Sequence, residues 1–295
     1  MVNLSEWQQH GKFEQLNGQH IFTRIGGNPV APALLLIHGF PSASWDWEGM
    51  WQQLIEHYYV ITLDMLGFGL SDKPKNNEYL ISQQADIFQT LLAKLGVNEY
   101  HILAHDYGDT VAQELLARQV SRDSKIHINS VCLLNGGLFP ETHKPVLIQT
   151  LLLSPIGAFV AKRITKPKFA ANLQHIFGPS TQPTPVVIDT LWQLLTHNDG
   201  IAVIHKLITY MTQRKQHRER WVGALVNSPV PVKLIAGALD PISGQHMIDR
   251  YCQLIPNANV TTMPTLGHYP QVEDAHAITT AYIEFRDSIN KPLGM

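Results

Sequence analysis

Residues 104–108 are Ala104-His105-Asp106-Tyr107-Gly108, and this stretch decides the fold. It follows an apolar run typical of a buried strand and precedes a helical pattern. Small residues two positions before and after Asp106 permit a sharp strand-to-helix turn that presents one side chain. A serine at the centre of such a turn attacks an acyl carbon. A carboxylate there can instead displace a leaving group at saturated carbon, so Asp106 is our candidate nucleophile.

Strand and helix patterns alternate around this turn, which predicts an α/β fold with a mostly parallel sheet and helices on both faces. The predicted strands are Ile21–Ile25, Ala33–Ile37, Tyr58–Leu63, Tyr100–Ala104, Ser130–Leu134, Val232–Ala236 and Asn259–Met263. The predicted core helices are Ser82–Leu95, Thr110–Gln119 and Ala275–Ile289. Continuous apolar runs such as residues 34–37 are typical of central strands that are buried on both sides.

Between residues 136 and 227 this alternation stops, and the chain is helical and interrupted by prolines. We therefore predict an α/β core over residues 1–135 and 228–295, with an inserted helical cap over residues 136–227. The apolar stretch Val146–Val160 contains polar, proline and glycine residues and is too short to span a bilayer. We interpret it as part of the cap, with membrane contact as the alternative.

The loop His38-Gly39-Phe40-Pro41 follows the predicted strand at residues 33–37. In such a fold the residue after His-Gly supplies one backbone N–H of an oxyanion hole, and the residue after the nucleophile supplies the other. We therefore expect Phe40 and Tyr107 to form this hole. We also expect His38 and Trp45, which lie at and just after the loop, to contact substrate.

Asp240 and His268 each lie just past a later predicted strand. The chain order is then nucleophile, acid and histidine, which is the order this fold uses. We predict that Asp106, Asp240 and His268 form a catalytic triad. The sequence contains no His-Glu-x-x-His, Gly-rich phosphate loop or dinucleotide fingerprint, so we expect neither a metal nor an organic cofactor.

Composition limits the partners and the compartment. Of 295 residues, 44% are hydrophobic and 16% are charged, and 22 basic against 24 acidic residues give a net charge of −2. With this balance the protein has no overall positive potential that would attract a polyanion. We therefore expect a small-molecule substrate and no nucleic acid. Cys132 and Cys252 cannot build a disulfide framework, and residues 1–10 lack the pattern of a signal peptide. We expect a cytoplasmic protein without a stable membrane anchor, and we interpret the basic run at residues 214–220 as a solvated helix face.

The chain resembles the α/β-hydrolase superfamily, in the branch of epoxide hydrolases and haloalkane dehalogenases with aspartate nucleophiles. It is most similar to the mesoderm-specific transcript family of hydrolases. The resemblance covers roughly residues 20–285, the predicted cap included. The motifs that carry it are His105-Asp106-Tyr107-Gly108-Asp109 with Val111–Leu116, Asn135-Gly136-Gly137 with Phe139–His143, Arg220–Leu225, and His268-Tyr269-Pro270-Gln271.

The resemblance implies candidate substrates. Epoxide hydrolases of this branch usually supply two cap tyrosines that donate protons to the epoxide oxygen, and Tyr210 is the one tyrosine between residues 136 and 227. Haloalkane dehalogenases typically hold the halide with a tryptophan and an asparagine at the positions where this chain has Tyr107 and Phe40. We therefore expect a hydrolase that forms a covalent alkyl-enzyme ester, epoxide hydrolase-like on a small apolar substrate, with Tyr210 near the substrate.

Three alternatives stay open at this point. The first is a haloalkane dehalogenase. The second is a non-catalytic scaffold of the same fold that binds a ligand. In the third, Asp106 acts as a general base in hydrolysis or lyase chemistry that involves no ester.

Overall fold

A computed structural model describes residues 3–290 of the chain, with Asn290 described as backbone only. Residues 1–2 and 291–295, which the sequence assigns to the core, lie outside the described residues. Within the described part, the strands form one eight-stranded sheet in the order β1-β2-β4-β3-β5-β6-β7-β8. The strands are β1 Lys12–Leu16, β2 Gln19–Gly26, β3 Ala33–Ile37, β4 Tyr59–Leu63, β5 Glu99–His105, β6 His127–Leu134, β7 Val232–Gly237 and β8 Asn259–Met263.

Neighbouring strands are parallel throughout the run β4-β3-β5-β6-β7-β8 of this order. Strand β2 is antiparallel to both of its neighbours, β1 and β4. All five residues of β3 are buried, as expected for a central strand covered on both faces. The predicted α/β fold is confirmed, and all seven predicted strands are present with slightly different ends. Because the carboxyl ends of parallel strands meet at one edge of the sheet, the loops after β3, β5, β7 and β8 come together there.

The helices lie between and after these strands. In chain order they are α1 Leu4–Gln9, α2 Glu48–His57, α3 Ile81–Lys94, α4 Tyr107–Val120, α5 Leu147–Leu153, α6 Gly157–Ala161, α7 Lys166–Ile176, α8 Pro185–Thr196, α9 Ile204–Leu207, α10 Tyr210–Gln216, α11 Arg218–Val226, α12 Gln245–Leu254, α13 Pro270–Glu273 and α14 Ala275–Asn290, with short 3₁₀ helices at Ser44–Trp47 and His197–Ala202. Helices α5 to α11 all lie between β6 and β7, in the segment predicted as the cap.

One buried carboxylate joins this helical segment to α4. Glu114 of α4 accepts hydrogen bonds from the Arg220 side chain and from the indole N–H of Trp221 in α11, both at 2.8 Å. Arg118, one turn further along α4, donates to the same carboxylate at 3.0 Å. Charge-assisted hydrogen bonds of this kind are stronger than neutral ones, so α11 is firmly attached to α4.

Candidate active site

Asp106 occupies a strained turn between β5 and α4. Its backbone has φ 48° and ψ −105°, outside the regions that residues with a side chain normally adopt. The turn needs a glycine two residues later, because a Cβ on Gly108 would lie 2.3 Å from the Ile37 carbonyl oxygen. Strain of this kind persists where the surrounding structure enforces it, and such positions cluster at active sites.

Two different groups hold the two oxygens of the Asp106 carboxylate. The Phe40 backbone N–H donates to Oδ2 at 3.1 Å, and the Tyr210 hydroxyl approaches Oδ1 in a long hydrogen bond of 3.4 Å. Tyr107 places its ring between those of Phe68 and Tyr210, with centroid distances of 5.1 and 4.8 Å. The site therefore brings together Asp106, Phe40, Tyr107 and Tyr210, all of which the sequence singles out.

His268 and Asp240 form a close pair beside this carboxylate. His268 Nδ1 lies 2.7 Å from Asp240 Oδ2, and Nε2 lies 4.0 Å from Asp106 Oδ2. Asp240 also accepts from the Ser243 hydroxyl at 2.7 Å and from the Asn135 amide at 3.1 Å. These bonds fix the carboxylate and thereby the imidazole, and the 4.0 Å gap is one that a water molecule can bridge.

The charges in the site shift the ionisation of its groups. Burial alone would lower the pKa of His268, yet the Asp240 and Asp106 carboxylates raise that pKa to about 9. Burial alone would raise the pKa of Asp106, but the positive charges of His268 and Arg214 hold it below its usual value. Burial would also raise the pKa of Asp240, and its contacts with His268 lower it to about 2. At neutral pH the resting site therefore holds an imidazolium between two carboxylates.

Arg214 is a site residue that sequence reasoning missed. The sequence interpretation placed it on a solvated helix face, but its side chain is 3% exposed and lies against the strained turn. Its Nη2 donates to the Asp106 carbonyl oxygen at 3.1 Å and lies 3.7 Å from Oδ1, while Nε donates to Thr110 at 2.7 Å. The guanidinium also lies 4.4 Å from the centroid of the Tyr210 ring. The predicted solvated helix face is therefore wrong for Arg214. Helix α10 turns this residue toward α4, and a local charge pattern does not reveal that orientation.

Glu273, at the end of α13, is a second residue that the sequence gave no reason to select. Its carboxylate accepts from the backbone N–H groups of Gly267 at 2.8 Å and Tyr269 at 3.0 Å, on either side of His268. It also accepts from the Gly178 N–H, in the loop after α7, at 2.8 Å. One carboxylate thus fixes the His268 loop and joins it to the helical segment.

His38 and Trp45, predicted to contact substrate, are both buried in the core. His38 is fully buried, and its ring contacts main chain on both sides: Nδ1 lies 2.9 Å from the Gly39 carbonyl oxygen, and Nε2 accepts from the Met65 N–H at 3.0 Å. Trp45 is buried in the 3₁₀ helix at Ser44–Trp47. This arrangement suits support of the Phe40 loop better than contact with substrate. The Tyr269 hydroxyl also holds this loop through the Phe40 carbonyl at 3.0 Å.

A mostly apolar cavity of about 600 Å³ leads from the surface to this site. Phe40 and His268 line its inner end, and side chains of α5, α6 and α7 line most of the rest. Asp106 is 3% exposed and, among the described residues, is not part of this lining, but two of its neighbours, Phe40 and His268, are. A larger hollow of about 780 Å³ lies at the opposite edge of the sheet, beside Glu99 and His101, and is remote from Asp106.

The described residues contain neither a metal-binding cluster nor a membrane-spanning helix. Residues 3–290 contain no group of three His, Cys, Asp or Glu side chains arranged to hold a metal ion. In the same part of the chain, no helix combines the length and the apolar character needed to cross a membrane.

Comparison with known proteins identifies similar chains. A family model described as alpha/beta hydrolase fold matches residues 32–275. The mesoderm-specific transcript protein of Mus musculus is 41% identical over 300 residues, which cover 97% of this chain and 88% of that protein. The hydrolase LipZ of Mycobacterium tuberculosis is 34% identical over 279 residues, covering 95% and 96% of the two chains.

Among solved structures, haloalkane dehalogenase DbeA from Bradyrhizobium elkani is similar with a TM-score of 0.81 and 17% identity, over 95% of this chain and 98% of that one. At this identity the similarity concerns the fold alone. Together the comparisons confirm the predicted resemblance to the α/β-hydrolase fold family and to the mesoderm-specific transcript family.

Proposed function

The chain belongs to the α/β-hydrolase fold family and, within it, to the mesoderm-specific transcript family, and from that premise we propose an epoxide hydrolase-like activity on an apolar substrate. The observation that carries the proposal is the environment of the Asp106 carboxylate. One oxygen accepts from a backbone N–H and the other faces a tyrosine hydroxyl, with a paired histidine 4.0 Å away.

In the first proposed step, Asp106 Oδ1 attacks an epoxide carbon, and the bond between that carbon and the ring oxygen breaks. The ring oxygen takes a proton from the Tyr210 hydroxyl, which leaves a phenolate. Burial and the Asp106 charge raise the pKa of Tyr210, so the hydroxyl is protonated and available beforehand. Arg214, 4.4 Å from the ring centroid, then stabilises the phenolate until it regains a proton from the His268 imidazolium.

In the second proposed step, neutral His268 removes a proton from water, and the hydroxide attacks the carboxyl carbon of the Asp106 ester. The negative charge that develops on Oδ2 is stabilised by the Phe40 N–H, which already lies 3.1 Å from that oxygen, and by the Tyr107 N–H. The bond between the ester carbonyl carbon and the alkyl oxygen then breaks, and that oxygen takes the second proton of the water as the diol leaves. His268 keeps the first proton and is again the imidazolium of the resting site.

The groups around Asp106 favour an oxygen leaving group over a halide. The Phe40 side chain has no donor, and the Tyr107 hydroxyl lies near Gln84 and Tyr79. Tyr210 supplies the proton that an alkoxide needs, whereas a halide leaves without one. Haloalkane dehalogenation is therefore the second candidate.

We also propose that the protein acts in the cytoplasm, because both of its cysteines, Cys132 and Cys252, are free thiols.

His268→Gln separates the two steps, because only the second one needs the base. We expect this variant, mixed with styrene oxide, to gain the mass of one substrate molecule at Asp106, and we expect wild type to show turnover without lasting adduct. 1-Bromohexane serves as the comparison, since an adduct with it accompanied by halide release would favour dehalogenation.

Asp106→Asn is the control for the covalent step, since a neutral amide is a poor nucleophile. Sustained turnover by this variant would rule out the ester. A single turnover of wild type in ¹⁸O-labelled water adds an independent test, because the ester route places solvent oxygen in Asp106 before it reaches product. Failure to convert a broad panel of epoxides, haloalkanes and esters, together with tight binding of a metabolite, would favour the non-catalytic ligand-binding scaffold.

A further inference from the structure

The surface formed by α5, α6 and the start of α7 (residues 144–168, called here the α5–α7 face) exposes large apolar side chains. Leu147 is 75% exposed, Ile156 57% and Phe159 56%. These three account for a third of the nine large hydrophobic residues that are exposed in the described part of the chain, yet they lie within 13 residues of one another in sequence. Soluble proteins rarely expose such groups together unless the surface has a binding role.

The same face is strongly basic. Residues 144–168 contain five cations and no acidic residue, whereas the whole chain has a net charge of −2. The cations are Lys144, Lys162, Arg163, Lys166 and Lys168, all exposed. Lys166 forms an exposed ion pair with Asp189, and the Arg163 guanidinium lies 3.4 Å from the centroid of the Phe159 ring. Residues 144–168 therefore combine exposed cations with exposed apolar side chains, and Arg163 lies directly against Phe159.

We propose that the α5–α7 face docks reversibly on an anionic lipid surface, from which an apolar substrate enters the cavity. Apolar side chains flanked by Lys and Arg are the combination that binds the boundary between lipid headgroups and acyl chains. Leu147, Ile156 and Phe159 also line the cavity whose inner end is formed by Phe40 and His268. The docking surface and the entrance are thus the same place.

Charge distinguishes this partner from a second copy of the chain. In a symmetric dimer through this face, the patch would meet itself and bring two sets of five cations together, and residues 144–168 contain no acidic residue to offset them. An anionic bilayer supplies the opposite charge and an apolar layer at once. The proposal goes beyond the proposed chemistry, since docking does not depend on which bond Asp106 attacks.

Sedimentation with lipid vesicles tests the docking without any substrate. We expect the full chain to bind vesicles of phosphatidylcholine with phosphatidylglycerol at least about tenfold more tightly than vesicles of phosphatidylcholine alone. Raising the salt concentration should weaken the binding because it screens the cations. Equal binding to both vesicles, or none, would overturn the proposal.

Separate variants test the basic and the apolar side chains of the α5–α7 face. Lys162→Glu with Lys166→Glu should abolish the preference for anionic vesicles. The matched control is Arg122→Glu with Lys125→Glu. It makes the same charge change at exposed positions just before β6, at the edge of the sheet opposite the one where Asp106 lies. Retained binding in the first variant, or equal loss in both, contradicts the proposal.

Phe159→Ser should weaken binding to both kinds of vesicle, and Val30→Ser, at an 88% exposed position, is its control. Circular dichroism confirms that each variant is folded. Size-exclusion chromatography tests whether the α5–α7 face instead binds a second copy of the chain. If wild type is a dimer and Phe159→Ser is a monomer, the face is a dimer interface, and the proposal of lipid docking is overturned.

Discussion

At the scale of single residues, the charge of His268 differs between the two proposed steps. The two neighbouring carboxylates raise its pKa to about 9 in the resting site. When Asp106 becomes an ester, one of these anions is lost, so the pKa of His268 falls. The imidazole can then be neutral, and able to accept a proton from water, at a pH where the resting enzyme carries the imidazolium.

This difference predicts how the ester depends on pH. Asp106 has a pKa below its usual value and stays ionised at pH 5, so the ester still forms. We expect His268 to be protonated at pH 5 in the ester as well, because Asp240 still raises its pKa, so hydrolysis should stall. We expect rapid quenching and mass spectrometry to find more adduct in wild type at pH 5 than at pH 8. His268→Gln should hold similar adduct at both values, and a wild-type adduct independent of pH would contradict this role of the histidine.

The sequence indicated site residues wherever a short motif specified the backbone. The turn at Asp106 and the loops that end in Asp240 and His268 have local signatures, and they converge because parallel strands end at one edge of the sheet. Arg214 and Glu273 have no such signature. Each reaches the site from a helix whose direction is set by packing with distant segments, so its local sequence is that of an ordinary charged helix.

At the scale of elements, α13 positions the catalytic loop through the carboxylate of Glu273. This group accepts N–H bonds from Gly267 and Tyr269 and from Gly178 across the helical segment. Glu273 touches neither substrate nor Asp106 in the proposed reaction. It acts through the loop that holds His268, which makes it a positioning residue.

Glu273→Gln keeps the shape of the side chain but removes the charge and one acceptor oxygen. We expect a loss of about 1.5–3 kcal/mol in the free energy of unfolding, as for other hydrogen bonds to charged groups. Ester hydrolysis should slow while ester formation persists, measured as accumulated adduct. Glu284→Gln, at an exposed position of α14, is the control. If Glu273→Gln slows both steps equally, its effect is structural and general.

Strand β1 shows why one element escaped prediction. Most of its residues are exposed or half-buried, so no apolar pattern marks it. It pairs with β2 across a turn in which Asn17 and Gly18 both have positive φ, 50° and 78°. Asn-Gly is the usual signal for such a two-residue turn, so Asn17-Gly18 is the local feature from which the hairpin could have been predicted.

At the scale of the whole molecule, the helical segment is attached unequally. Its α10–α11 end is joined to α4 by Glu114 and to the strained turn by Arg214. Its α5–α6 end consists of helices of seven and five residues with exposed apolar side chains. Any widening of the cavity entrance should therefore begin at the α5–α6 end.

Hydrogen exchange measures this asymmetry directly. We expect amides in residues 147–161 to exchange on the order of 10²-fold faster than those in residues 218–226, because fewer buried contacts oppose local opening. Strand β3, buried throughout, provides the slowly exchanging reference. Equal protection of the two segments would show that the helical segment opens as one unit.

The resting ion pair between His268 and Asp106 has a further consequence for the overall reaction. Over a complete epoxide cycle, the phenol regains its proton from the imidazolium and the imidazolium regains its proton from water, while the diol carries one hydrogen from Tyr210 and one from the water. The cycle neither consumes acid nor releases it. Alkyl halide hydrolysis would instead generate one equivalent of strong acid each time, which this enclosed pocket would have to export. Epoxide hydrolysis, in which both the substrate and the product are neutral, therefore suits an active site that is so well shielded from bulk solvent.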